Sequence, residues 1–157
     1  MKKKQAAKID IENLPGHYIR RLQQIAVAIF LEETVAFGVT PVQFAALQTV
    51  RRQPGLDQRT LAATIGFDTS TIAGVIDRLE RRELIQRNAS PGDRRVRLLT
   101  LTPAAEALLD ELVPGMLRAQ QRMLAPLPAA DRTRFMAMLK TLVKANNELS
   151  RAPSEVR

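Results

Sequence analysis

Apolar residues recur at helical spacing along most of the chain. Tyr18, Leu22, Ile25 and Ile29, with Ala26 and Phe30 beside them, mark one face of a first helix over residues 14–37, ended by Gly38. Thr40-Pro41-Val42-Gln43 reads as a capping box with proline in the first turn, opening a second helix that carries Phe44, Leu47 and Val50 and stops at Pro54-Gly55. Asp57 is placed to cap a short helix through Leu61, Ala62 and Ile65 that closes at Gly66, and Asp68 or Thr69 to cap the next almost at once. Two short helices joined by so few residues form a helix-turn-helix signal. In the second of them, from Thr69 to Arg82, an inward stripe of Ile72, Val75, Ile76 and Leu79 leaves Ser70, Ala73, Gly74, Asp77 and Arg81 facing outward.

The period then changes. Leu84 to Arg87 and Val96 to Leu101 are β-prone and flank Asn88-Ala89-Ser90-Pro91-Gly92-Asp93, which is turn chemistry, so the segment predicts a hairpin or wing. Thr102-Pro103 opens a long helix with Leu108, Leu109, Leu112, Val113, Met116 and Leu117 in phase, and Pro114 inside that phase predicts a kink. After Pro126-Leu127-Pro128, a last helix over residues 129–149 carries Phe135, Met138, Leu139, Leu142 and Val143. The fold class is mainly α with a small β-wing. A winged helix-turn-helix lobe over residues 40–101 lies between helices at 14–37 and 103–149. The first and last helices are apolar over arcs too wide for one small chain to cover, which predicts dimerisation by a symmetric pairing of these segments. Residues 1–12 and 150–157 read as frayed ends.

Composition narrows the function. The 157 residues fit one domain, and the formal charge of +8 points to a polyanionic partner. The chain has no cysteine and a single histidine, which leaves no disulfide, thiolate metal site, cysteine nucleophile or thiol redox sensor, and no metal or cofactor is expected. No nucleophile–base set, glycine-rich phosphate loop or paired carboxylates stand out, so the chain does not read as an enzyme. Aromatics at 4% are too few for a base-stacking platform on single strands. Met1-Lys2-Lys3-Lys4 is followed by polar residues rather than an apolar export segment, and the longest apolar run, Ile25 to Leu31, is too short for a bilayer. A reducing bacterial cytosol, with no membrane partner, is the simplest compartment.

The charge is concentrated. Between Arg78 and Arg97 there are seven arginines against three acids, a local net of +4. Arginine's planar fork suits phosphate, guanine edges and a narrow minor groove. This run adjoins a helix whose outer face is short and polar. Thr69, Ser70, Thr71, Ala73, Gly74 and Asp77 would then meet base edges in the major groove of duplex DNA, with Arg78 and the wing on phosphates and the minor groove. A pair of such lobes would read a pseudopalindromic operator. A helical adaptor that binds another protein through its apolar faces is the rival, and it would lack the steep salt dependence of DNA binding.

Thr40-Pro41-Val42-Gln43-Phe44, Leu61-Ala62 with Gly66, Ser70-Thr71, Asp77-Arg78-Leu79-Glu80, Leu84-Ile85-Gln86-Arg87, Asp93-Arg94-Arg95 and Leu98 to Thr102 stand in an order and spacing that resemble the MarR family of transcription regulators. The resemblance covers residues 14–149. It implies a winged-helix dimer held by its first and last helices, with Asp93 steadying the wing and Arg94 or Arg95 reaching the minor groove. Many members have glycine where Glu83 stands, so the turn into the wing costs more here or takes another geometry. The resemblance also implies a repressor released from DNA by a small aromatic acid. The runs from Gln53 to Thr60 and from Asp68 to Arg78 are most similar to regulators of nicotinate catabolism, pointing to 6-hydroxynicotinic acid. His17 and Tyr18, the chain's only histidine and tyrosine, are followed by Arg20 and Arg21 and offer such an anion a cation and a switchable donor or acceptor. The alternative is that Tyr18 packs in the dimer core, His17 caps or faces water, and Arg20 and Arg21 pair with acids such as Glu32 or Glu33 or with solvent.

Overall fold

The computed structural model describes residues 9–150, so most of the expected frayed ends, 1–8 and 151–157, and the basic start Met1-Lys2-Lys3-Lys4 lie outside the described residues; within them, residues 11–12 belong to a 3-10 turn, Ile11–Asn13, capped by Asp10, rather than to a frayed end. The elements are α1 (Pro15–Glu33), α2 (Pro41–Arg52), α3 (Gln58–Ile65), α4 (Thr69–Arg81), β1 (Ile85–Ala89), β2 (Arg97–Leu101), α5 (Pro103–Leu124) and α6 (Ala129–Ala145). Each of the caps read from local sequence forms. Thr40 and Gln43 exchange both bonds of a capping box, and Asp57, Asp68 and Thr102 accept from the third backbone amide of α3, α4 and α5.

Two helices end earlier than their apolar phase suggested, for the same reason. Thr34 turns its hydroxyl back onto the Phe30 carbonyl at 2.7 Å, and α1 stops at Glu33 before a 3-10 turn at Val35–Phe37. Asn146 sends its side-chain amide to the Leu142 carbonyl at 2.8 Å, and α6 stops at Ala145 rather than 149. In both places a side chain competes for the carbonyl of the last helical turn. Both strands begin one residue later than expected, at Ile85 and Arg97; the first runs two residues further, to Ala89, and the second ends at Leu101 as read from the sequence. Pro114 lies inside α5 without ending it.

The core sits where α2, α3, α4, the hairpin and the start of α5 meet. Leu47, Leu61, Ile72, Ile76, Leu79, Leu99 and Leu109 are fully buried there, each worth about 1.5–3 kcal/mol relative to exposure. The hairpin is antiparallel, pairing Ile85 with Leu101 and Ala89 with Arg97. Leu99 also exchanges backbone bonds with Gly55 and Leu56, which ties β2 to the end of α2.

Beyond this lobe, α5 runs along α1. Their backbones approach so closely at Gly115 that a Cβ there would lie 2.7 Å from the Glu33 carbonyl oxygen. Arg118 and Arg122 reach Glu33 at 3.0 and 3.1 Å, and Arg122 also reaches Glu32 at 2.6 Å. The Arg118 bond, then the Arg122 bond, hold the Glu33 carboxyl below its ordinary pKa. Arg51 of α2 bridges to Glu106 and Asp110 of α5. In contrast, α6 buries none of its residues in the single chain. Tyr18, Ile19, Leu22 and Ile25 of α1 and Met138, Leu142 and Val143 of α6 stay exposed. No helix among the described residues is long and apolar enough to cross a membrane.

Candidate nucleic-acid interface

α4 is anchored at both ends and along one side. At its start Asp68 accepts from the Thr71 amide at 2.8 Å. Along its length Ile72, Val75, Ile76 and Leu79 are buried. At its end the Leu84 amide donates to the Leu79 carbonyl and the Glu83 amide to the Glu80 carbonyl, a Schellman motif whose left-handed residue is Glu83, with φ of 57°. The cost expected at Glu83 therefore takes the form of left-handed backbone on a side-chain-bearing residue. The Glu83 carbonyl in turn accepts from the Thr102 hydroxyl at 2.7 Å, joining the end of α4 to the start of α5.

Burying that stripe turns a short-side-chain face outward. Thr69, Ser70, Thr71, Asp77 and Arg78 are exposed, and Ala73 and Gly74 half-buried. A Cβ built on Gly74 meets nothing within 4 Å, so another backbone or a base edge has open access to the middle of α4. The wing stands beside it. Ser90 donates to the Val96 carbonyl across its tip, and Asp93 accepts from the Arg95 amide at 2.9 Å while its carbonyl takes the Val96 amide. The Asp93 carboxylate thus folds the tip, and Arg94, Arg95 and Arg97 project from it, exposed.

The seven arginines divide by job. Arg82 donates to the Phe37 and Gly38 carbonyls at 3.0 and 2.8 Å, fastening the end of α4 to the connection after α1. Arg87, half-buried on β1, forks onto Asp77 and, at 3.2 Å, Glu80, one turn apart on α4. Asp77, read from the sequence as facing base edges, is thus held sideways by the wing. Arg78, Arg81, Arg94, Arg95 and Arg97 are exposed and form no ion pair among the described residues. Arg87 offsets one of the two negative charges that Asp77 and Glu80 carry, and the five exposed arginines outnumber what is left, so the outward field on this side of α4 is positive. Arg81 and Arg97, exposed and next to the residues above, stood outside the set that the sequence assigned to DNA.

The residues singled out for an anionic effector lie together at the start of α1 without an enclosure. His17 and Tyr18 meet edge to face with ring centroids 5.4 Å apart, and Tyr18 is 60% exposed. Arg20 and Arg21 are exposed. They do not pair with Glu32 or Glu33, which lie about 18 Å further along the same helix and pair with Arg118 and Arg122 of α5. Among the described residues no group of three or more histidine, cysteine or acidic side chains is arranged to hold a metal.

Comparison with known proteins agrees with this architecture. Residues 39–96, spanning α2 to the wing, match the MarR family. The repressor NicR of Pseudomonas putida is 30% identical over 137 residues, which cover 87% of each chain. BpsR of Bordetella bronchiseptica, solved in a study of how 6-hydroxynicotinic acid regulates its DNA binding, superposes with a TM-score of 0.82 at 32% identity over 87% of this chain and 97% of that one. The repressor CouR of Rhodococcus jostii, solved on a 23-mer DNA duplex, gives a TM-score of 0.80 at 28% identity over 87% of this chain and 99% of that one. These relatives are transcription regulators rather than enzymes, and the present chain belongs with them to the MarR family of DNA-binding transcription regulators.

Proposed function

We propose that the chain is a repressor that binds a pseudopalindromic operator as a homodimer, at the nucleoid, and leaves it when a small aromatic acid binds. Residues 14–37 and 103–149 supply the dimer contact, and residues 40–101 form the reading lobe. α4 enters the major groove with Thr69, Ser70, Thr71, Ala73 and Gly74 toward base edges. Arg78, Arg94 and Arg95 engage phosphates and the neighbouring minor groove. Asp77 serves the same surface indirectly by holding Arg87. The observation that carries this reading is the juxtaposition of an open, short-side-chain helix face with arginines that form no ion pair among the described residues.

The test is operator binding by the intact protein on fragments it retains from its own genome. Arg94→Ala or Arg95→Ala should weaken binding to all sequences and shallow its salt dependence by about one ion per arginine removed. Ser70→Ala should change sequence preference instead. Equal affinity for every variant would sink the assignment.

For the effector, the support is the relative whose DNA binding 6-hydroxynicotinic acid regulates, together with Arg20 and Arg21, exposed on α1 beside His17 and Tyr18 and without an ion pair among the described residues. In the dimer the partner subunit would close this open face into a cleft. A tenfold loss of operator affinity needs only about 1.4 kcal/mol of differential binding. Adding 6-hydroxynicotinic acid to the operator complex should release DNA, and Arg20→Gln with Arg21→Gln should blunt the response. Release by that acid undiminished in the double variant would remove these residues from the site.

A further inference from the structure

Ser70 and Thr71 occupy the second and third positions of α4, and both hydroxyl protons are already committed. The Ser70 hydroxyl donates to Asp68 Oδ1 at 2.6 Å and the Thr71 hydroxyl to Asp68 Oδ2 at 2.7 Å, while the Thr71 amide takes Oδ1 as well. The Ser70 hydroxyl, then the Thr71 hydroxyl and amide, hold the Asp68 carboxyl well below the ordinary carboxylate range. Asp68 is therefore an ionised group with no proton to lend at any working pH, and an ionised carboxylate only accepts. A hydroxyl has one proton and two lone pairs. With the proton given to Asp68, each of these side chains shows its surroundings lone pairs alone, and both residues are exposed.

The major groove offers few groups that can answer a pure acceptor. Adenine N6 and cytosine N4 carry amino protons there, whereas guanine O6 and N7 and thymine O4 are themselves acceptors. We propose that Asp68 is a specificity-determining residue: by taking the protons of Ser70 and Thr71 it makes the first turn of α4 select adenine or cytosine, and reject guanine or thymine, at the bases those hydroxyls reach. The inference rests on α4 entering the major groove, as proposed above. It has a second consequence. The carboxylate occupies the place where the start of α4 would otherwise attract a phosphate, so backbone charge falls to the arginines.

The experiment is selection from a randomised duplex library with the full chain and four variants: Ser70→Ala, Thr71→Val, Asp68→Asn and Asp68→Ser. Asparagine and serine both keep a capping oxygen for the helix. The wild type should enrich adenine or cytosine at positions where Ser70→Ala or Thr71→Val flattens the profile. At those same positions the Asp68 variants should gain guanine or thymine by about three- to tenfold, the scale of one hydrogen bond. Wild-type preference for guanine or thymine there would overturn the proposal, as would Asp68 variants with an unaltered profile while Ser70→Ala or Thr71→Val changes it. If neither Ser70→Ala nor Thr71→Val has any effect, the placement of α4 itself falls. Should Asp68→Asn not fold, Asp68→Ser gives the same readout.

Discussion

Gly66 and Glu83 do the same work with different freedom. Each ends a helix in a left-handed conformation, at φ of 73° and 57°, and each sits in the same pair of closing hydrogen bonds. For a residue with a Cβ that conformation costs about 1–2 kcal/mol, and glycine escapes most of it at some expense in the unfolded chain. Glu83→Gly should therefore raise stability by about 0.5–1 kcal/mol, and Gly66→Ala should lower it by about 1 kcal/mol, read as opposite shifts of the urea midpoint at constant slope. Two helical glycines make a second contrast. Gly115→Ala drives a methyl into the Glu33 carbonyl and should cost about 1–3 kcal/mol. Gly74→Ala meets open space, so it should stabilise α4 by about 0.5–1 kcal/mol while weakening operator binding. A Gly74→Ala protein that binds DNA as tightly as the wild type would show that no base comes close to this position.

Carboxylates set the pH response of the elements. Asp57 is held below its ordinary 3.8 first by the Thr60 amide, Asp68 by the Ser70 hydroxyl, and Glu33 below 4.5 by Arg118. A carboxyl whose folded pKa is depressed adds stability at every pH above its unfolded value, and that contribution disappears as pH falls from there toward the folded value. Thermal midpoints should thus drop as pH is lowered from about 5 to 3, and Glu33→Gln or Asp57→Asn should make the drop shallower. An unchanged slope in both variants would show that other groups govern the acid limb.

The capping carboxylates were legible in the sequence, because a cap and its amide lie three residues apart and obey local rules. So were the inward stripe of α4 and the turn chemistry of the wing. The arginine partners were not. Arg82 reaches carbonyls 44 and 45 positions away, and Arg122 meets Glu33 across 89. Which arginine is engaged within the chain and which is left unpaired depends on that tertiary geometry, so charge counting alone merged the two kinds. The early ends of α1 and α6 escaped for a related reason: Thr34 and Asn146 fit a helical pattern by spacing but divert a carbonyl once in place.

At the scale of the molecule, the lobe from α2 to the wing has a closed core while α6 and one face of α1 have none. A symmetric partner would bury those faces, and apolar burial of this kind is what commonly holds homodimers. Leu142→Glu or Leu22→Glu, both on exposed apolar positions, should yield monomers by sedimentation and abolish operator binding without unfolding the reading lobe. A variant that remains dimeric would move the seam elsewhere. Within each subunit, the backbone-to-backbone approach at Gly115, clamped by Arg118 and Arg122 on Glu33, keeps α1 and α5 from sliding past each other. In the pairing proposed above, the two helices would act as a single strut, and any change in the distance between paired reading helices would fall to the joints on either side of the lobe, near Gly38 and Thr102, rather than to slippage along the strut itself.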